Sequence, residues 1–202
     1  MSPPPGGRIG VLGGSFDPPH LGHLIVAVEA AWQLGLDAVR LVPCGQPPHK
    51  PQGTWLPGDL RLRLVEAVAA EHRGLEPWPV ELDRPGPSYT ADTMEALAAE
   101  HPDAATWFIL GADQLHGLAG WYQPERIVAV TRLAAVARDG EEPDLPPPVR
   151  AADGRVDTVR VPRVDISSTD VRRRMTAGQP IGHLVPEAVA RVLSEEGLVA
   201  SP

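Results

Sequence analysis

The stretch that decides the fold runs from Arg8 to Leu24 and reads RIGVLGGSFDPPHLGHL. Its opening is a short apolar run ended by glycine, which predicts a buried strand of a parallel sheet. Apolar residues then recur every three to four positions as far as Trp32, which predicts a helix ending at Gly35. Pro18 and Pro19 suit the first turn of that helix. The sequence therefore predicts a glycine-rich loop between a strand and a helix.

The rest of the chain continues this alternation of strands and helices. Further strands are predicted at DAVRLVP (37–43), WPVEL (78–82), TWFILGAD (106–113), TRLAAVA (131–137) and VDTVRVPRV (156–164). Helices are predicted at 59–74 and 89–101, as short pieces between 113 and 129, and at 168–178 and 186–197. This order predicts an α/β fold, a Rossmann-like, doubly wound parallel sheet with helices on both faces and a small helical C-terminal part. Ligands of such sheets bind beyond the carboxyl ends of the strands.

Composition and charge narrow the function classes. The 202 residues carry a net charge of -8 at pH 7, which argues against a nucleic-acid partner because such partners need a broad basic face. The N-terminus has no apolar signal core, and the apolar run before Glu29 is too short to span a membrane. We therefore expect a cytoplasmic protein without a membrane partner.

Cysteine and lysine each occur once. Cys44 cannot form an internal disulfide, and we expect it to be a small buried hydrophobic residue, with a catalytic thiol as the alternative. Lys50 is the one lysine beside 17 arginines. This bias leaves two interpretations of Lys50 open, a specific role and an ordinary surface position.

The loop after the first strand has the features of a phosphate site. Gly13 and Gly14 lack a Cβ and let a ligand approach the backbone, and the helix that follows offers unpaired N–H groups. The loop matches neither the P-loop nor the dinucleotide fingerprint. His20 and His23 are three residues apart, so both imidazoles are expected to point the same way and to donate to one anion. A helix cap and a metal site remain as alternatives.

The motifs of this chain resemble those of a known family. GGSFDPPHLGHL is similar to the HxGH signature of the nucleotidylyltransferase superfamily, and the whole chain resembles the bacterial nicotinate mononucleotide adenylyltransferases. The further matching motifs, in family order, are VPCGQPPHK, DRPGPSYTADT, LGADQL, WYQPERI, ISSTDVRRR and HLVPEAV. His183 stands where the family commonly has tyrosine, which leaves the local packing there open. The segment Asp139–Arg155 matches nothing in the family and is expected to be an exposed connection.

The resemblance implies a reaction and a set of partners. The family joins the 5′-phosphate of nicotinate mononucleotide to the α-phosphorus of ATP, which releases pyrophosphate and makes a dinucleotide precursor of NAD. It implies Mg²⁺ supplied with ATP, although the sequence shows no dedicated cage of carboxylates for a metal. It also implies a nucleotide-binding α/β domain at residues 1–164 and a C-terminal helical part at 165–202, within one compact unit. The oligomeric state stays open, and a homo-oligomer is one outcome.

The resemblance also assigns roles to individual residues. Catalytic contacts to the ATP phosphates fall to His20, His23 and Arg172. Further ATP or phosphate contacts fall to Gly13, Gly14, Ser15, Phe16, Lys50, Ser168 and Thr169, with Ser168 or Thr169 expected to cap the following helix. Nicotinate mononucleotide contacts fall to Thr90, Asp113, Trp121 and Tyr122. Trp121 would stack on the ring, with burial in the core as the alternative, and backbone N–H groups at Thr90 and Tyr122 would hold the carboxylate. Asp113 would reach a ribose hydroxyl from the end of a strand.

Three other functions compete with this interpretation. The acceptor could be phosphopantetheine, but that family usually has threonine where this chain has His20. The acceptor could be the amide mononucleotide, since selectivity set by backbone amides is hard to recognise from side chains. The domain could also be a non-catalytic nucleotide sensor, which the loss of a histidine or of Arg172 would have indicated.

Overall fold

The computed structural model describes residues 6–48, 52–138 and 156–199 of the chain. Six strands form one sheet in which every neighbouring pair is parallel, in the order β3-β2-β1-β4-β5-β6. Their bounds are β1 Arg8–Gly14, β2 Ala38–Pro43, β3 Leu75–Pro77, β4 Ala105–Gly111, β5 Arg132–Arg138 and β6 Val156–Val161. The strand order reverses between β1 and β4, as in a doubly wound sheet, so the predicted fold class is confirmed.

Helices cover both faces of this sheet. Their bounds are α1 Leu21–Leu34, α2 Gly58–Glu71, α3 Val80–Asp83, α4 Thr90–Glu100, α5 Ala112–Gly117, α6 Pro124–Val130, α7 Ser168–Thr176 and α8 Glu187–Glu195, with a 3₁₀ turn at Leu118–Gly120. Within the described part of the chain, no helix combines the length and the hydrophobicity needed to cross a membrane.

Alternate residues of the strands build two cores, one on each face. On β1, Val11 joins a cluster with residues of α4, α5 and α6, whereas Leu12 joins the opposite cluster with residues of α1 and α2. The second of these clusters also contains Val171 of α7 and Val189 of α8. The C-terminal helices therefore pack on the same core as the sheet.

Two predictions about the first half of the chain are wrong. The segment WPVEL is not a strand: β3 is only Leu75–Pro77, and the chain turns into α3 after Pro79. Proline has no N–H to donate to a neighbouring strand, so the prolines at 77 and 79 end the pairing with β2. Pro18 and Pro19 precede α1 rather than forming its first turn, because the helix begins at Leu21 with His20 as its N-cap. The segment Asp139–Arg155 lies outside the described residues.

The fold places the loop from Gly13 to His20 at the switch point of the sheet. Gly13 and Gly14 are the last residues of β1 and pair with Val42 and Pro43 of β2, and on the other side β1 pairs with β4. The helix that follows β1 and the one that precedes β5 lie on opposite faces, which opens a crevice beyond the strand ends. The glycine-rich loop therefore stands at the edge where a ligand is expected.

Candidate active site

The loop between β1 and α1 is fixed through the carboxylate of Asp17. This side chain is buried, and its two oxygens accept hydrogen bonds of 2.8 Å from the backbone N–H groups of Trp55 and Leu56. Phe16, just before it, is buried and has a φ of 46°, in the left-handed region that a residue with a side chain rarely adopts. The surrounding contacts therefore hold the loop in a conformation that the isolated segment would not prefer.

Arg61 of α2 joins this loop to its neighbours. The guanidinium is 1% exposed and donates to three backbone carbonyls: Ser15 at 2.9 Å, Cys44 at 2.7 Å and Leu56 at 3.2 Å. These carbonyls belong to the loops after β1 and β2 and to the segment before α2. One buried cation therefore sets the relative positions of three segments that meet at the carboxyl edge of the sheet.

The two histidines lie together at the start of α1. Their rings stack with centroids 3.7 Å apart, so the prediction that they point the same way is confirmed. The His20 backbone N–H donates to Nδ1 of His23 at 3.2 Å, and the His23 ring also contacts the Phe16 ring, with centroids 4.8 Å apart. Because Nδ1 of His23 is an acceptor, the proton of its neutral ring is on Nε2.

Burial makes both imidazoles neutral. It lowers the pKa of His20 to about 4, and burial followed by the charge of His20 lowers the pKa of His23 well below its usual value. Nδ1 of His20 is buried and finds no hydrogen-bond partner among the described residues. Each ring can therefore act as a single hydrogen-bond donor, not as a cation, until an anionic ligand arrives.

Gly22 leaves room for the first histidine. A Cβ at this position would lie 3.0 Å from Cε1 and Nδ1 of His20. The His20 ring would then have to shift by a few tenths of an ångström. Glycine at position 22 therefore leaves space for the ring of His20, which is a residue of the candidate site.

The motif ISSTDVR reaches the same loop from α7. Arg172 donates from Nη1 to the carbonyl of Asp17 at 2.7 Å and from Nη2 to the Thr169 hydroxyl at 3.1 Å. The Ser168 hydroxyl donates to the carbonyl of Pro18 at 2.9 Å. The structure thus brings Ser168, Thr169 and Arg172 together with the histidine loop.

The predicted cap of α7 is wrong by one residue. The N-cap is Ser167, whose hydroxyl accepts from the backbone N–H of Asp170 at 3.1 Å. Ser168 is unavailable for capping because it begins the helix and its hydroxyl is bonded to Pro18. Ser168 therefore ties α7 to the histidine loop.

A cavity of about 690 Å³ opens beside the glycines, on the β4 side. Its lining includes six of the predicted site residues: Gly13, Gly14, Ser15, Thr90, Trp121 and Tyr122. Among the described residues, a Cβ built on Gly13 would lie 3.9 Å from the Phe108 ring, and one built on Gly14 would lie 3.5 Å from the Phe16 ring. Packing among the described residues therefore does not require these two glycines, both of which line the cavity, where a ligand can approach the backbone.

Aromatic side chains form much of the cavity wall. Trp121 packs edge-on against Phe108, with ring centroids 6.0 Å apart, and is partly exposed rather than buried in the core. Tyr122 stacks on Tyr89 with centroids 4.2 Å apart. Thr90 is the first residue of α4, so the free N–H groups of that helix lie at the cavity.

Three other residues that the sequence analysis considered, Asp113, Lys50 and Cys44, have different surroundings from those of the residues above. Asp113 lies in the first turn of α5 rather than in a strand, is exposed, and is not part of the cavity lining. Lys50 and its neighbour His49 lie outside the described residues. Cys44 is partly exposed and lines the cavity, and burial, followed by the charge of Glu81, raises its pKa to about 11. A thiol with that pKa stays protonated at neutral pH, which disfavours a nucleophilic role.

Sequence reasoning missed the residues that support the site. Arg61 stands on the apolar face of α2 with Leu60, Leu64 and Val65, and an arginine among buried positions was the available signal. Ser88 accepts hydrogen bonds from the backbone N–H groups of Gly45 and Gln46 at 3.1 and 3.0 Å, which no local pattern indicates. These residues act across loops that are distant in the sequence.

Comparison with known proteins identifies the family. A family model described as cytidylyltransferase-like matches residues 11–174. A protein of Exiguobacterium sibiricum named probable nicotinate-nucleotide adenylyltransferase is 39% identical over 194 residues, which cover 96% of this chain and 100% of that protein. This chain belongs to the nicotinate-nucleotide adenylyltransferase family. A family member of the same name from Saccharopolyspora erythraea is 37% identical, with coverage of 95% of this chain and 89% of that protein.

Solved structures of the nicotinate-nucleotide adenylyltransferase family share the fold. The Plasmodium falciparum nicotinic acid mononucleotide adenylyltransferase complexed with NaAD superposes with a TM-score of 0.74 at 17% identity, over 95% of this chain and 97% of that one. A Vibrio parahaemolyticus nicotinate-nucleotide adenylyltransferase gives a TM-score of 0.67 at 20% identity, over 95% and 94% of the two chains. At these identities the likeness establishes the Rossmann-like architecture of the chain.

Replacing the buried arginine is expected to destabilise the loops that it joins. Arg61→Met leaves one buried and two partly buried carbonyls without their donor and should lower the free energy of unfolding by about 2–4 kcal/mol. Denaturant unfolding measures this change. Arg63→Met, two residues along the same helix, removes an exposed arginine paired with Glu196 and should cost under about 1 kcal/mol. Equal losses in the two variants would contradict the role given to Arg61.

Acidification is expected to destabilise the protein through His20. The unfolded state binds a proton below a pKa of about 6.5, whereas the folded state resists until about 4, so this stability contribution is full above pH 6.5 and is lost as the pH falls. Between pH 7.5 and pH 5 the wild type should lose about 2 kcal/mol more than His20→Gln. Denaturant titrations at both pH values measure the difference. If the wild type and His20→Gln lost the same free energy of unfolding, burial would not lower the pKa of His20 in the folded protein.

Proposed function

We propose that this protein transfers the adenylyl group of ATP to nicotinate mononucleotide, which gives nicotinate adenine dinucleotide and pyrophosphate in NAD biosynthesis. The observation that carries the proposal is the adjacency of two sites at the switch point. The loop Gly13–His20, with His23 and Arg172, offers donors for phosphates, and its glycines also line the 690 Å³ cavity that has an aromatic wall. Two ligands held on the two sides of one loop can meet for in-line transfer.

The attacking group needs no base from the protein. A phosphomonoester has a second pKa near 6, so the mononucleotide phosphate is already largely dianionic at neutral pH. Its oxygen attacks the α-phosphorus of ATP, the bond to the bridging oxygen breaks, and pyrophosphate leaves with that electron pair. The tasks left to the protein are to align the two ligands and to stabilise added charge on the transferred phosphoryl group.

The donors of the histidine loop fit that second task. His23 is neutral with its proton on Nε2, so it donates one hydrogen bond without a change of protonation state. We assign this donor to the α-phosphate, with His20 on the neighbouring phosphates. Arg172 adds a permanent positive charge at the same loop, and Ser168 and Thr169 keep α7 in register with it. Gly13, Gly14, Ser15 and Phe16 complete the phosphate loop, and Lys50 is proposed to reach the phosphates as well.

Mg²⁺ is proposed to enter with ATP. Among the described residues no group of three or more His, Cys, Asp or Glu side chains is placed to hold a metal ion, and both oxygens of Asp17 already accept backbone N–H groups. The ATP phosphates are therefore its proposed ligands. Bound there, the ion would neutralise charge on the phosphates.

The cavity fits the acceptor. We assign Trp121 to stack on the pyridine ring and the N–H groups at Thr90 and Tyr122 to hold the ring carboxylate, because amide donors favour a carboxylate over a carboxamide. Asp113 is proposed to reach a ribose hydroxyl, which requires its exposed side chain to turn toward the ligand. We place the protein in the cytoplasm because the proposed reaction consumes ATP. We also propose that residues 1–164 and residues 165–202 form one compact unit.

The direct test is pyrophosphate release by the purified protein with Mg²⁺ and ATP. Nicotinate mononucleotide, nicotinamide mononucleotide and phosphopantetheine are offered separately. Strong preference for the first is the expected result. Preference for phosphopantetheine would overturn the acceptor assignment, and no release with any acceptor would favour the sensor function.

Loss of the second histidine is expected to slow the chemical step. His23→Ala removes a donor to the transition state and should lower kcat roughly a hundredfold, with little change in the thermal midpoint. Steady-state kinetics and thermal unfolding measure the two quantities. His116→Ala, at an exposed position of α5 outside the cavity lining, should leave kcat unchanged. A near-normal kcat for His23→Ala would contradict the role assigned to this ring.

A further inference from the structure

The cavity contains a buried acid that the reaction does not explain. Glu81 of α3 is 8% exposed and is the acidic side chain among the described residues that line the 690 Å³ cavity. Gly45 allows it to lie there, because a Cβ at that position would overlap the backbone carbonyl oxygen of Glu81. A carboxylate in a cavity for a ligand with a phosphate and a carboxylate repels both groups, so its position calls for a cationic partner.

A hydroxyl of the cavity wall holds one oxygen of the Glu81 carboxylate. The Thr93 hydroxyl donates to Oε1 of Glu81 at 2.7 Å and accepts from Nη2 of Arg84 at 3.1 Å. Thr93 lines the cavity with Glu81, whereas Arg84 lines a separate groove with Trp78 and lies behind the threonine. Within residues 6–48, 52–138 and 156–199, no basic side chain forms an ion pair with Glu81.

Aromatic faces surround the same space. Phe108, Tyr89, Trp121 and Tyr122 all line the cavity. The negative faces of aromatic rings attract organic cations, most strongly where water is excluded, and a nearby carboxylate adds to that attraction. Aromatic walls with one buried carboxylate form a site for a flat, positively charged ring.

We propose that Glu81 is a specificity-determining residue that recognises the positive charge of the pyridinium ring, a proposal that rests on the proposed function. The N-glycosidic bond makes the ring nitrogen of nicotinate mononucleotide quaternary and cationic. In the reduced mononucleotide, the dihydropyridine ring has nearly the same shape but no charge. The cavity therefore selects the oxidised mononucleotide.

The test compares binding of oxidised and reduced nicotinate mononucleotide by isothermal titration calorimetry, near pH 8, in the absence of ATP. The wild type should bind the oxidised form roughly tenfold more tightly. Glu81→Gln keeps an oxygen that accepts from Thr93 but loses the charge, and it should bind the two forms with affinities within about threefold of each other. Asp83→Asn removes an exposed acid from the same helix, outside the cavity lining, and should keep the wild-type preference.

A second variant separates charge from hydrogen bonding. Thr93→Val removes the hydroxyl that holds Oε1 and keeps the charge of Glu81, so the preference for the oxidised form should persist. Thermal unfolding of every variant checks that it is folded. Equal wild-type affinities for the two ligands, or an undiminished preference in Glu81→Gln, would overturn the proposal even if one of the variants did not fold.

Pyrophosphate release, measured separately, distinguishes this inference from the proposed function. Binding of the oxidised form with the expected preference but without turnover would contradict adenylyl transfer and support the charge recognition. Turnover together with equal affinities for the two mononucleotides would support adenylyl transfer and contradict the charge recognition. If neither mononucleotide binds and no pyrophosphate is released, both proposals fail.

Discussion

The site depends on one buried guanidinium. Within the part of the chain that the structure describes, the Arg61 guanidinium donates hydrogen bonds not to a carboxylate but to the carbonyls of Ser15, Cys44 and Leu56, each on a different segment. A carbonyl buried without a donor is costly, so the three segments can be brought together only if one group satisfies all of them. The planar fork of arginine does this from a single helix position. The loop after β1 can then hold Phe16 in a left-handed conformation and Asp17 beneath the backbone of Trp55 and Leu56.

This arrangement reconciles an acidic chain with anionic substrates. The net charge of -8 offers no general attraction to ATP, so recognition has to be local. Neutral histidines, helix N-termini and backbone N–H groups donate hydrogen bonds without the cost of burying unpaired cations in the free protein. Arg172 supplies a full positive charge and is held at the loop by the carbonyl of Asp17. Under the proposed function, the phosphates therefore meet donors that are already oriented before they arrive.

The sequence predicted what depends on local pattern. The strand β1, the helix α1 and the histidine pair follow from periodicity and spacing within one stretch, and the parallel sheet follows from the regular alternation of elements. Prediction failed where proline overrides an apolar pattern, as in WPVEL, and where neighbouring hydroxyls compete, as at Ser167 and Ser168. The partners of Arg61 and Glu81 could not be assigned from spacing, because they are carbonyls and a hydroxyl on other segments of the chain. The roles of these two side chains depend on tertiary contacts, which local sequence patterns do not show.

The topology also explains why one loop can serve two ligands. At the switch point, α1 leaves β1 toward one face of the sheet, whereas α5 and α6, which follow β4, pack on the other face. Gly13 and Gly14 present backbone to the cavity, and seven residues later the chain presents His20 at the start of α1. A transferred group can pass from one side to the other only if the backbone between the two ligands is thin. Under the proposed function, glycine at the end of β1 meets that condition, because it adds no side chain between the two ligands.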